Sequence, residues 1–391
     1  MLAEVGSMIR VCMFSCCYEN VSVANYTFSL LSHLRNRKEF NIRWISSHCR
    51  CIERFPNRKS ACFERCLFIG LPYLARPRSR MKIVSIAFSA IQKSLDILRG
   101  FTFLQKIGDC DLVHFQQSSS YSFSIVPLLP IILLSPKKKI VTLHSIDEIQ
   151  RAFKFFFRFY NRVDKVIVHS ESMRVHLIEN GVAESRITII RHGANIPRLL
   201  GLKRMEMTFF GAPVEIKGIS TIFDALKILK ERNLDVRLSI YGLYSDSERK
   251  IAESQADSRG VKNNLVWGGS LTEFDFDKKL QQSLFTLAVY NTPVSGSSVI
   301  TRAMSNATPV IASDVGGLKE YLNGGGIVIA PKNPESLANA IELLLRNADI
   351  RDKLGRVGRE FAIKSLSWKK IAEQTAAIYS STFDKVPNQR A

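Results

Sequence analysis

Short apolar runs alternate with amphipathic stretches along most of this 391-residue chain. That alternation restricts the fold more than any other feature. Met8 to Ser15, Ile42 to Ser46, Asp111 to Phe115, Ile140 to His144 and Lys165 to Ser170 read as buried strands. Helical stretches such as Ser22 to Leu34 and 81–104 separate some of them. A strand covered on both faces reads as a continuous apolar run, and successive parallel strands need a crossover, usually a helix. The pattern predicts a parallel sheet with helices on both faces. After a strand at Ile187 and a Gly/Pro-bearing segment near 196–205, it starts again. Strands follow at Met207 to Phe210, Arg237 to Tyr241, Leu265 to Trp267, Phe285 to Val289, Pro309 to Ala312 and Gly326 to Ile329. The length exceeds one ordinary core, so two doubly wound units are expected. Their ligands belong at the carboxyl ends of the strands, in a cleft if the sheets face each other.

Charge is uneven. Residues 1–200 hold 29 Lys and Arg against 14 Asp and Glu, and the remainder 26 against 21, within a net charge of +20. A basic half beside a nearly neutral one implies a localised anionic partner. All eight Cys lie in the basic half, at 12, 16, 17, 49, 51, 62, 66 and 110. With no secretory signal pattern at the N-terminus, reduced thiols are expected. The spacing of His48, Cys49, Cys51, Cys62 and Cys66 does not fit a zinc knuckle, so no metal is expected there. The apolar run Ser122 to Ser135 contains two prolines and is too short to span a membrane.

The densest chemistry lies between Pro293 and Glu320. A turn at Gly296-Ser297-Ser298 opens a helix over 298–305, and helix starts present N–H groups and a positive dipole end to phosphate. No Asp or Glu occurs between Pro293 and Ala312. Lys217, before Gly218 and after a strand, is placed to neutralise a diphosphate.

Together these segments resemble the retaining glycosyltransferases of family four, the GT-B type with two facing Rossmann-like domains. The pieces are LVHFQ at 112–116, VTLHS at 141–145, KVIVHSESMRVHLIENGV at 165–182 and ITIIRHGAN at 187–195. FFGAPVEIKG at 209–218, TPVIASDVGGLKE at 308–320 and the terminal SWKKIAEQ complete the series. The resemblance implies an acceptor-binding, membrane-facing domain over 1–197 and a nucleotide-sugar domain over 198–365. It also implies a C-terminal helix over 366–391 that crosses back to the first domain.

The same resemblance supplies the site. Lys217 would stabilise the nucleoside-diphosphate leaving group, and His144 would face the transferred sugar. Gly211, Gly242, Gly269, Ser270, Leu271, Gly296, Ser297, Ser298 and Glu320 would surround the nucleotide sugar, with Gly242 and Gly269-Ser270-Leu271 near the base. No metal or other cofactor is implied. His114 reads as structural, and His192, beside Gly193 in a loop between domains, is a further candidate for a site role. Three departures stand out. Ala212 and Pro213 occupy the place of an arginine, and Val294 and Arg302 replace two glutamates that bind sugar and ribose hydroxyls.

Arg151, Lys154, Arg158 and Arg162 share one side of a helical projection, with Phe153, Phe156, Phe157 and Tyr160 opposite. That stripe suits an anionic membrane surface. No nucleic-acid module is recognisable. The expected protein moves a sugar from a nucleoside diphosphate to a lipid-linked or glycan acceptor, with retention, at the cytoplasmic membrane face in surface-polysaccharide or glycolipid assembly. The alternative is a catalytically silent homologue acting as a binding or scaffold subunit.

Overall fold

A computed structural model of the chain describes residues 8–15, 21–47, 63–66, 104, 107–117, 129–145, 154–294 and 296–384. The chain divides into two units. Met1–His169, Met173–Ile190 and Ala372–Ala391 form the first, and Ser170–Ser172 with Arg191–Ile371 the second.

The first unit carries the parallel strands β1 (Ile9–Ser15), β2 (Phe40–Ser47), β3 (Phe63–Cys66), β4 (Leu112–Gln117), β5 (Lys138–Leu143), β6 (Lys165–Val168) and β7 (Ile187–Ile189). Their spatial order is β3-β2-β1-β4-β5-β6-β7. The direction of winding therefore reverses between β1 and β4, which pair in register from Val11 with Leu112 to Ser15 with Gln116. β4 is buried at every position, so His114, Gln116 and Gln117 are polar groups inside a core. Helix α1 (Val21–Leu34) follows β1, and Leu30, Leu31 and Leu34 bury its inner face.

The second unit repeats the plan with β8 (Glu206–Phe210), β9 (Leu238–Tyr241), β10 (Leu265–Gly269), β11 (Ser283–Ala288), β12 (Val310–Ser313) and β13 (Gly326–Ile329). Their order is β10-β9-β8-β11-β12-β13, and the reversal falls between β8 and β11. Four helices of this unit matter for the site: α2 (Ile219–Glu231), α3 (Glu273–Gln282), α4 (Ser298–Ser305) and α5 (Leu318–Leu322). Helix α6 (Trp368–Ser381) ends the described chain, and its residues from Ala372 onward belong to the first unit. Within that unit the buried Tyr379 hydroxyl lies 2.6 Å from His114 Nδ1.

Three local outcomes differ from the sequence reading. β3 (Phe63–Cys66) is a strand that the apolar pattern does not predict. Its Phe-Glu-Arg-Cys sequence carries no apolar run, and pairing with the open edge of β2 makes it a strand. Lys154–Arg162 forms a 3₁₀ helix rather than an α-helix. Three residues per turn put Phe157, Tyr160 and Val163 on one buried line in the first core, while Arg158 and Arg162 stay exposed.

The third difference corrects the expectation of reduced thiols. A disulfide joins Cys12 in β1 to Cys110, just before β4, with Cα atoms 5.9 Å apart. Parallel pairing of β1 with β4 brings together two cysteines 98 residues apart in sequence. Spacing alone gives no hint of it.

No group of His, Cys, Asp or Glu among the described residues could hold a metal ion. His48, Cys49, Cys51 and Cys62 lie outside those residues, as do Arg151 and Phe153. No described helix is long and apolar enough to cross a membrane.

Candidate functional site

The carboxyl ends of β8 and β11, where the second sheet reverses, enclose a recess lined by Phe209, Phe210, Lys217, Leu287, Ala288, Val289, Tyr290 and Val299. Lys217 ends a single 3₁₀ turn (Glu215–Lys217), and Gly218 at φ 64° then admits the chain to α2. Any side chain at Gly218 would strike the Val289 carbonyl, with a Cβ 2.8 Å from that oxygen. The Lys217 ammonium rests against Gly211, whose φ of 131° and missing Cβ leave the space it fills. Burial pushes this ammonium below the usual lysine range. Among the described residues no carboxylate forms an ion pair with it. A desolvated cation without a counter-ion is costly and favours an anion beside it.

Gly211, Gly242 and Gly269 end β8, β9 and β10 as a ladder of close backbone approaches. The Gly211 N–H donates to the Tyr241 carbonyl at 2.7 Å, and the Gly242 N–H to the Gly269 carbonyl at 2.8 Å. A Cβ on Gly242 would lie 2.8 Å from Gly211 Cα. The Gly269 N–H donates to the Tyr244 hydroxyl at 3.1 Å. All three N–H groups are therefore used inside the unit. Ser270 is exposed, whereas Leu271 packs on the core beside Phe276.

Ser297 is the N-cap of α4, and its hydroxyl accepts from the Ile300 N–H. The buried Tyr290 phenol lies 3.4 Å from the same oxygen, and burial pushes that phenol up. Ser298 is exposed at the first helical position. Gly296 is required by packing, since a Cβ there would come 2.8 Å from the Tyr321 hydroxyl. That hydroxyl accepts from the His192 N–H at 3.0 Å. The His192 ring stands edge-on to Trp368. Its Nδ1 donates to the Gly193 carbonyl, and burial holds the imidazole below the usual histidine range. The Glu320 carboxylate accepts from the Glu171 N–H at 2.8 and 3.1 Å and from the Ser172 N–H at 3.4 Å, all within the second unit.

The two replaced acids have structural occupants. Arg302 reaches the Glu273 carboxylate at 2.9 Å and Asp277 at 3.0 and 3.2 Å, and its guanidinium lies 4.0 Å from the centre of the Phe276 ring. Its side chain is only 18% exposed. It ties α4 to α3 and does not open onto a ligand. The Val294 carbonyl accepts from the Gly317 N–H at 3.0 Å. Gly316 at φ 54° passes so close to Val294 that a side chain there would collide with its backbone. The first glycine of the pair, Gly316, is thus explained by the backbone at Val294.

In the first unit, His144 follows β5 and is half-buried. Its Nε2 lies 2.9 Å from Gln116 Oε1 and its Nδ1 3.0 Å from His169 Nε2. Tyr26 meets the ring edge-on at 4.6 Å. His114 lies deeper, between Tyr379 and Thr142 Oγ1 at 2.7 Å, and burial holds it neutral with a pKa down to about 3. Its structural reading stands on those contacts. Sequence reasoning missed Gln116, His169 and Tyr290. The available signal was position, since each is a polar residue at or next to the carboxyl end of a strand.

Comparisons with known proteins agree with this layout. Residues 23–198 match the family described as Glycosyltransferase Family 4, and residues 199–361 match Glycosyl transferases group 1. An uncharacterised glycosyltransferase of Methanocaldococcus jannaschii is 29% identical over 258 residues, covering 63% of this chain and 69% of that protein. The phosphatidyl-myo-inositol mannosyltransferase of Mycobacterium leprae is 30% identical over 207 residues, covering 49% of this chain and 53% of the relative. The crystal structure of Anabaena HepE in complex with UDP superposes with a TM-score of 0.73 at 15% identity, covering 95% of this chain and 100% of HepE. The two halves match in order, and each sheet reverses where a doubly wound sheet should. The chain belongs to the family-four glycosyltransferases of the two-domain GT-B type.

Proposed function

We propose that the protein transfers a sugar from a nucleoside-diphosphate sugar to a lipid-linked or glycan acceptor with retention of configuration. The observation that carries this reading is Lys217, a desolvated cation at the reversal of the second sheet with no carboxylate partner among the described residues. Lys217 and the start of α4 hold the diphosphate there and supply the positive charge that a divalent ion supplies elsewhere. The bond from the anomeric carbon to the diphosphate oxygen breaks, and its electron pair stays on that oxygen. The acceptor hydroxyl oxygen bonds on the same face, and its proton passes to the departing phosphate. A structure of HepE holds UDP, and the Mycobacterium leprae relative is named for a phosphatidyl-myo-inositol acceptor. Both favour a nucleoside-diphosphate donor and a lipid-borne acceptor for this chain. The exposed Arg158 and Arg162 support docking at the inner face of an anionic membrane.

A panel of nucleotide sugars screened by thermal shift identifies the donor, because bound ligand raises stability by mass action. With that donor, Lys217→Ala should lower turnover by about 100-fold or more, and a chelator should leave turnover unchanged. Turnover indifferent to Lys217 defeats the assignment. The locked Arg302 and the apolar Val294 favour a second reading, a homologue that binds but does not transfer. A donor that shifts the melting temperature without ever being consumed would establish it.

A further inference from the structure

The ring of His144 is held by a second histidine that no sequence motif singles out. His169 Nδ1 lies 2.7 Å from the Ile190 carbonyl oxygen. A carbonyl only accepts, so that nitrogen carries a hydrogen. In the neutral ring His169 Nε2 is then bare, and it lies 3.0 Å from His144 Nδ1. The hydrogen between the two rings therefore belongs to His144 Nδ1. On the other side, Gln116 presents its amide to His144 Nε2 at 2.9 Å. A half-turn of an amide exchanges acceptor for donor with little change in shape. Gln116 can thus serve Nε2 whether or not it carries a hydrogen, whereas the Ile190 carbonyl offers His169 no such choice.

We propose that His169 is a positioning residue that locks a proton on Nδ1 of His144 and leaves Nε2 as the only ring atom through which His144 gains or loses one. The groups that face the two rings include Tyr26 from α1, Gln116 with His114 behind it from β4, and the Ile190 carbonyl after β7. His114 is held neutral by burial. The Tyr26 ring lies 4.6 Å from His144 and 5.3 Å from His169 and holds both in one arrangement. This inference gives a mechanism to the His144 assignment and rests on the sugar-transfer reading only for its purpose.

The test is long-range proton–nitrogen NMR on protein labelled with ¹⁵N-histidine, which resolves seven histidines, with His144 and His169 assigned by single substitution. At neutral pH, Nδ1 of both residues should bear hydrogen, and in a pH series any change at His144 should appear at Nε2. His169→Phe removes the acceptor and should move the His144 proton to Nε2. His169→Gln returns an acceptor oxygen and should restore the Nδ1 proton. A bare Nδ1 on either residue in the unmodified protein overturns the proposal, as does a His144 spectrum indifferent to His169→Phe. If that variant does not fold, the unmodified protein decides alone. The measurement uses neither donor nor acceptor, so it stands or falls separately from the transfer reading.

Discussion

At the scale of single residues, the buried Lys217 ammonium costs stability, whereas in the proposed transfer it holds the diphosphate. Its folded pKa lies below that of the unfolded chain because burial disfavours the charged form. The charged lysine therefore destabilises the empty protein, fully so below the folded pKa. The penalty fades as pH rises toward the ordinary lysine value of about 10.4, since the unfolded state binds more protons in that window. Lys217→Met should accordingly stabilise the ligand-free protein by about 1 kcal/mol near neutral pH. The gain should shrink as pH approaches about 10, while nucleoside-diphosphate binding falls. Parallel thermal melts of both proteins across pH check the sign, and a lysine variant that loses stability at neutral pH contradicts it. The position of Lys217 was legible because a lysine beside a helix-opening glycine is a local pattern. The roles of Gly296 and Glu320 were not. Tyr321 and the Glu171 N–H lie 25 and 149 residues away in sequence, and they decide what that glycine and that carboxylate touch.

At the scale of elements, α4 keeps its helix start although an arginine stands at 302, where the resemblance implies an acid. The helix opens on Ser297 as the sequence indicates, and its inner face of Ile300, Ala303 and Met304 is buried. The arginine at 302 then pairs with Glu273 and Asp277 one helix away, which composition could not reveal. Restoring an acid with Arg302→Glu should not recover a ribose contact. It would set three carboxylates together and leave Asp277 without its cation, so stability should drop by about 3 kcal/mol. Denaturant titration measures this, and an unchanged midpoint with tighter donor binding would show that the site tolerates the acid after all. The 3₁₀ segment makes a similar point. Phe157 and Tyr160 are consumed by the core, so in the proposed membrane docking the exposed Arg158 and Arg162 carry the attraction electrostatically. Binding to anionic vesicles should be present at low salt and largely lost near 0.5 M, well past the range where a Debye length of about 8 Å applies. Salt-resistant flotation would show that apolar insertion dominates.

At the scale of the whole molecule, one cross-link bears on how the first sheet is held. The Cys12–Cys110 disulfide closes a long loop between adjacent strands. By loop-closure entropy, reducing it should cost the first unit about 2–5 kcal/mol. Calorimetry with and without reductant, beside a Cys12→Ala/Cys110→Ala variant, tests this. A melting profile indifferent to reductant would mean that the sheet needs no such brace. The sequence by itself determined the doubly wound architecture, repeated twice. Strand and helix periodicities are local, and short βαβ connections leave few ways to wind a parallel sheet. It also located the glycine turns and the start of α4 in the second unit, because helix starts and glycine turns are properties of neighbouring residues. Tertiary structure alone decided which polar groups meet: Arg302 with Asp277, Glu320 with the Glu171 N–H, His144 with His169, and Cys12 with Cys110. Each partnership spans at least 25 residues. The strand order and helix packing that close those distances appear only when the whole chain has folded.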